Sequence, residues 1–137
     1  MTDVNKKYKV LHLNDELMEY LPYTDPTFPV EIYDDYFSDF PEHTLPCHWH
    51  PVYEFNTVIS GQVTYTINGK DYLLNTGDSI FINSGNMHTA KSCIQCPDSI
   101  VYGFTFDSSL ITDSRDSVYY TKYFIPVNSE SVPAFKI

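Results

Sequence analysis

Basic residues are scarce in this 137-residue chain: eight Lys and Arg stand against eighteen Asp and Glu, a formal net charge of −10. A surface of that sign repels a phosphate backbone, which excludes direct gripping of nucleic acid by this chain alone. Long apolar runs are also missing. No stretch approaches the roughly 18–20 uninterrupted apolar residues of a membrane span, and MTDVNKKYKV at the start has basic residues without the apolar core of a secretion signal. A cytoplasmic location is expected. The three cysteines, Cys47, Cys93 and Cys96, are odd in number and too sparse for a disulfide scaffold. Cys93 and Cys96 form a CxxC, but only Cys47 remains among the thiols to complete a zinc cage, so ordinary reduced cysteines are expected. There is no GxSxG, P-loop or GxGxxG, and on an extended strand Cys47 faces away from His48, which leaves nucleophilic catalysis without support.

What is present is apolar and aromatic: 42% hydrophobic residues with 16% Phe, Trp and Tyr suit one compact domain with a full core. Asn14 ahead of Asp15-Glu16-Leu17-Met18 is expected to cap a helical turn ended by Pro22. From Phe28 to Phe40, aromatic and β-branched residues punctuated by Pro29 and Pro41 predict one or two edge strands. Strands are then predicted at Val52–Ile59, Gln62–Ile67, Lys70–Leu74, Ser79–Asn83, around His88, and at Ile100–Phe106. Asn68-Gly69 predicts a type I′ hairpin turn, since both residues accept positive φ. After Asp107, Ser108–Thr112 reads as a helical turn, Asp113–Asp116 as a polar loop, and the Tyr- and Phe-rich Val118–Val127 as extended. With no good amphipathic helix between them, these strands predict an all-β fold, a closed antiparallel barrel or jelly roll.

The chemistry is concentrated in HWHPVYEF at 48–55 and in the later His88. His48, His50 and Glu54 share sequence parity, so on one extended strand they leave the same face, and His88 would join them from a second strand. Three imidazoles and a carboxylate are ordinary ligands of zinc, iron, manganese or nickel and can leave coordination positions open. The same four residues could instead form a polar ligand-binding pocket. Tyr65 and Phe81, each on a predicted barrel strand, are added as ligand-stacking residues. Trp49 points the other way, into packing or a lid, while Tyr33, Tyr36 and Phe37 could pack or close over the opening.

These residues resemble the cupin superfamily, whose motifs are written G-x5-H-x-H-x3,4-E-x6-G and G-x5-P-x-G-x2-H-x3-N. His48, His50, Glu54 and Gly61 match the first, and Gly77, Gly85 and His88 the second; Glu42, Asn83 and Ser92 depart from it. Within that superfamily FPEHTLPCHWHPVYEF, GQVTYTINGKDYLLNTGDSIFINSGNMHTA and SVYYTKYFIPV are similar to the N-terminal effector-binding domain of AraC-type transcription factors. The resemblance implies a double-stranded β-helix with short terminal extensions: one effector-binding domain over 1–137, its barrel at about 28–107 and an extension at 108–137. It implies a ligand sensor, not an enzyme. A small molecule such as a sugar or related metabolite would bind at His48, His50, Glu54, Tyr65, Phe81 and His88, with a divalent metal (Zn, Ni, Mn or Fe) on His48, His50, Glu54 and His88. It further implies a homodimer and DNA contact only through a C-terminal helix-turn-helix domain that this sequence lacks, so the native chain is expected to continue past Ile137. The alternative is a free-standing metal-dependent cupin enzyme, a dioxygenase or isomerase; a storage or purely structural barrel has no positive feature.

Overall fold

A computed structural model describes residues 8–137 apart from positions 22, 24, 26, 113, 130 and 131. Its strands are β1 (Val30–Tyr36), β2 (Thr44–His48), β3 (Tyr53–Ser60), β4 (Gln62–Ile67), β5 (Lys70–Asn75), β6 (Ser79–Ile82), β7 (His88–Ser92), β8 (Ile100–Phe106) and β9 (Ala134–Lys136). They form two sheets, β1-β8-β3-β6-β9 and β2-β7-β4-β5, with every pair antiparallel. This is a double-stranded β-helix, as the resemblance implies.

The period-2 alternation of the strands decides which residues meet between the sheets. On β4, Val63, Tyr65 and Ile67 are buried while the intervening residues are half-exposed. They join Leu45, Val58, Leu74, Ile80, Ile82, Ala90 and Val101 in one core. Each such aliphatic side chain contributes about 1.5–3 kcal/mol by leaving water. The hairpin between β4 and β5 turns at Asn68 (φ 48°) and Gly69 (φ 81°), the two positive φ values expected of NG.

Odd-numbered β3 residues and even-numbered β8 residues face outward, where a second, aromatic cluster forms from Tyr53, Phe81, Phe106 and Phe124, with Phe55 and Tyr120 packed against it. This cluster overturns the extended reading of Val118–Val127. A π-helical turn (Tyr120–Phe124) runs into α1 (Ile125–Ser129). Tyr120 and Phe124, four residues apart, share one helical face and stack at 5.8 Å, and Phe124 lies 5.4 Å from Tyr53. Burial of that pair outweighs the strand preference of the individual Tyr, Thr and Val residues. The widened turn precedes Pro126, which has no N–H to donate back.

The expected helical turn at Asn14 is instead a tight hairpin. Asn14 Oδ1 accepts from the N–H groups of Glu16 and Met18 (both 2.9 Å), Leu17 sits at φ 63°, and Leu13 bridges Glu19. Asn side chains favour such local turns over helix. Pro22 and Asp113 lie outside the described residues. Asp107 does cap a short 3₁₀ turn at Ser108–Leu110, its Oδ2 accepting from Ser109 N–H at 3.0 Å.

The departures from the cupin motifs have local explanations. Asn83, where the motif has proline, donates its backbone N–H to Pro133 O (2.8 Å) and its Nδ2 to Val127 O and Val132 O (3.1 Å each), which pins the C-terminal segment. Proline could make none of these bonds. Glu42 occupies the leading glycine position at φ 54°, the left-handed region. Ser92 Oγ donates to Cys96 O at 2.6 Å and meets Ser99 Oγ at 2.7 Å in the core. Cys47, Cys93 and Cys96 are all free thiols. Among the described residues no helix is long and apolar enough to cross a membrane.

Candidate metal centre

His48 ends β2 and pairs in register with His88, the first residue of β7. Glu54, second residue of β3, belongs to the other sheet, and the chain crosses between sheets through a bend at Pro51-Val52. The expectation that parity on one extended strand brings His48, His50 and Glu54 together is therefore corrected. They converge because the bend folds β3 back across the end of β2, with His50 just before it.

One nitrogen from each of His48, His50 and His88 lies within 4.8 Å of the other two, and all three rings are buried. Each Nδ1 meets a backbone carbonyl: His48 with Pro46 O at 2.7 Å, His50 with Val52 O at 3.0 Å, His88 with Asn86 O at 2.8 Å. A carbonyl only accepts, so Nδ1 carries the proton and Nε2 of the neutral ring presents a lone pair. Glu54 Oε2 stands 3.4 Å from His50 Nε2 and 3.0 Å from His88 Nε2. None of these three buried atoms makes an aligned hydrogen bond. Lone pairs turned toward a carboxylate require a positive charge, from a proton on an imidazole or from a metal ion, and orphaned donors of this chemistry fit a divalent cation.

The electrostatics agree. Burial alone would raise the Glu54 carboxyl, but His50 and His88 outweigh it and hold the group well below the ordinary carboxylate range. Burial pulls His50 down, yet Glu54 prevails and raises it. His48 is lowered to about 4, by burial first and then by His88.

Supporting residues fix Glu54 from the other side. The Tyr33 hydroxyl donates to Glu54 Oε1 and lies against the Asn56 side-chain amide. Tyr33 on β1 and Asn56 on β3 both face Gly103 of β8, whose missing side chain makes the space. Thr105, paired with Glu54 in register, presents a buried Oγ1 without a protein partner. A cavity of about 120 Å³ adjoins the cluster, lined by His48, His50, Glu54, Tyr33 and Thr105 with Glu31, Asp35, Leu45 and the N-terminal Lys9, Leu11, Glu19 and Leu21. A larger open groove, about 520 Å³, lies at Asn68, Asn83, Ser84, Asn86 and Asn128 and carries no titratable group.

Of the six ligand-binding residues expected, His48, His50, Glu54 and His88 are brought together. Tyr65 is buried near enough for the Glu54 charge to act on its phenol but does not line the cavity. Phe81 is corrected: strand alternation turns it to the outer face of β6, against Tyr53, Phe55 and Phe135 at 6.2, 5.1 and 5.0 Å, away from the histidines. Tyr36 is exposed and Phe37 lies in the core. Sequence reasoning missed Glu19, Thr105 and the role of Tyr33. An inward parity shared with Asp35 marks Tyr33, but nothing local marks Glu19, which the unpredicted hairpin delivers.

Comparison with known proteins places this geometry in context. A cupin domain model matches residues 38–93. Over 79 residues, 58% of this chain, the sequence is 28% identical to the uncharacterized HTH-type transcriptional regulator YdeC of Bacillus subtilis (strain 168). The chain spans about a quarter of that relative, 27% of its length. A similar solved structure is an HTH_3 family transcriptional regulator from Vibrio cholerae, with TM-score 0.52 and 17% identity over 64% of this chain and 47% of that one. Another is an RmlC-like cupin from Shewanella frigidimarina NCIMB 400, with TM-score 0.47 and 20% identity over 58% of this chain and 66% of that one. Residues 38–93, which hold His48, His50, Glu54 and His88, thus match a cupin domain model within a double-stranded β-helix.

Proposed function

We propose that this chain is the ligand-sensing barrel of a cytoplasmic transcriptional regulator of the AraC type, a homodimer that reaches DNA through a separate helix-turn-helix domain. The observation that carries this reading is the cluster of orphaned His50 Nε2, His88 Nε2 and Glu54 Oε2 beside a cavity, in a chain similar to an HTH-type regulator. His48, His50, Glu54 and His88 would hold a divalent transition ion, zinc, nickel, manganese or iron. Bound there, such an ion supplies a Lewis-acidic anchor for an effector oxygen.

The chain's own residues supply orientation and selectivity. Carbonyl contacts at each Nδ1 set the ring planes, and Tyr33 holds the Glu54 carboxylate, as outer partners do in metal sites. Glu19, Glu31, Asp35 and Glu54 line the cavity, against Lys9, whose Nζ is 3.0 Å from Asp35 Oδ1. Carboxylates accept hydrogen bonds and repel anions. A neutral, hydroxyl-rich effector such as a sugar suits this lining, and an anionic one does not.

The test uses protein purified without a metal-affinity tag. Elemental analysis is expected to find near-stoichiometric transition metal, and thermal melting of the zinc-loaded protein is expected to rise with neutral monosaccharides and polyols but not with sugar acids. No uptake of added Zn, Ni, Mn or Fe would overturn the metal site. Chelator-sensitive turnover, lost in His50→Ala, would replace the sensor with the metal-dependent dioxygenase or isomerase reading.

A further inference from the structure

The N-terminal hairpin brings a second carboxylate to the histidine cluster, beyond the four residues assigned above. Glu19 Oε2 lies 3.3 Å from His48 Nε2, and its side chain is only 15% exposed. Glu54 serves the Nε2 atoms of His50 and His88. His48 Nε2 has Glu19. With His48 Nδ1 committed to Pro46 O, the neutral ring again turns a lone pair toward a carboxylate, and a cation between the two would satisfy both.

The hairpin is fastened to the ligand-bearing segment itself. Glu19 N–H donates to Trp49 O at 2.8 Å, Trp49 N–H to Leu17 O at 3.1 Å, and the Trp49 indole Nε1 to Glu16 O at 2.9 Å. Trp49, the one tryptophan of the chain, sits between His48 and His50, so the hairpin is tied to the segment that carries two of the histidines.

We propose that Glu19 is a further ligand of the metal ion held by His48, His50, Glu54 and His88, and that metal binding fastens the Leu13–Glu19 hairpin over the cavity. This rests on the metal-binding reading above. Glu19 reaches the centre from outside the barrel, so the ion cross-links three pieces of chain: the hairpin, the β2–β7 end of one sheet, and β3 of the other.

Zinc affinity of the whole chain and of Glu19→Gln and Glu19→Ala is measured by competition with a chromophoric chelator, with cobalt(II) visible spectra to report coordination number and amide hydrogen exchange on residues 11–20. Circular dichroism melts of the apo variants check folding; the isosteric Glu19→Gln guards against a folding defect in Glu19→Ala. Both variants are expected to bind zinc at least about tenfold more weakly, the loss usual for partners only one shell further out. The cobalt spectrum is expected to change, and zinc to slow exchange in the hairpin only when Glu19 is present. Equal affinity and identical cobalt spectra in wild type and folded variants would overturn Glu19 as a ligand while the four-residue centre stands. Failure of wild type to bind zinc or cobalt would overturn both.

Discussion

Replacement of Gly103 by Ala tests how the sheet positions Glu54. A methyl at this point of β8 would come 2.0 Å from Asn56 Oδ1, 2.7 Å from Phe55 O and 2.9 Å from the Tyr33 hydroxyl. The Asn56 side chain can rotate away, but the Phe55 carbonyl moves only if β3 and β8 separate. Overpacking of this kind costs about 1–3 kcal/mol, and loss of the Tyr33 hydrogen bond to a charged acceptor costs about 1.5–3 kcal/mol. Partial relaxation brings the expected total to about 2–4 kcal/mol. With a urea slope of about 2 kcal/mol per molar, the middle of the usual range, the unfolding midpoint, followed by Trp49 fluorescence, should fall by about 1–2 M. The double variant Gly103→Ala/Asn56→Ala should recover part of the loss, because the 2.0 Å contact disappears while the 2.7 Å one remains. Unchanged midpoint and zinc affinity in Gly103→Ala would refute this account of the site's support.

Two further outcomes follow from the same geometry. Folding holds His48 at about 4, by burial and then by His88, against about 6.5 in the unfolded chain. The unfolded chain therefore binds more protons in that window, so stability is full above pH 6.5 and falls as pH drops toward 4, by about 3 kcal/mol at most. Urea midpoints of the apo protein across this range should show the decline, and His48→Gln should flatten it; parallel curves would contradict the assignment. Asn83→Pro removes a backbone donor and two side-chain bonds to the C-terminal segment, a loss of about 2–4 kcal/mol. Limited proteolysis should then cut within residues 120–137 at protease levels that spare the wild type, and equal resistance would show that Asn83 is not the anchor.

The strands were legible because their signals are local. Alternation in Gln62–Ile67 and the NG turn fix β4, β5 and their register without help from the rest of the chain, and the bounds of β8 are those predicted. That His48, His50, Glu54 and His88 cluster was legible by spacing and resemblance, although the bend that unites His48 with Glu54 was not. Three features escaped because their causes are not local. Tyr120 and Phe124 are helical only because an aromatic face on β3, β6 and β8 awaits them. Phe81 looked like a ligand-stacking residue until its strand was paired and its parity turned it outward. Glu19 has no signal in its neighbours, since Trp49, thirty positions later, holds its hairpin in place.

Placement of the centre at the seam of two sheets bears on how binding could be felt elsewhere. A ligand or ion engaging His48 and His88 on one sheet and Glu54 on the other stabilises their mutual position, by about 2.7 kcal/mol at a hundredfold excess over its dissociation constant. The core beneath is closely packed and has little room to respond. The hairpin differs: a few backbone hydrogen bonds and one indole contact hold it, so it belongs to the segments that open at low cost. With Leu11, Glu19 and Leu21 in its lining, the cavity is about 120 Å³, below the roughly 300–1,000 Å³ of pockets that enclose drug-sized ligands. A sugar-sized molecule enters only by moving that lining, and under the proposed sensor function an effector's preference between hairpin-on and hairpin-off is the free energy available for signalling. Weakening the Trp49 indole contact by Trp49→Phe should then tighten effector binding while leaving the histidines in place, and calorimetry with the neutral sugar that gives the largest melting shift measures the sign. Weaker binding in the folded variant would mean that the hairpin grips the effector instead of excluding it.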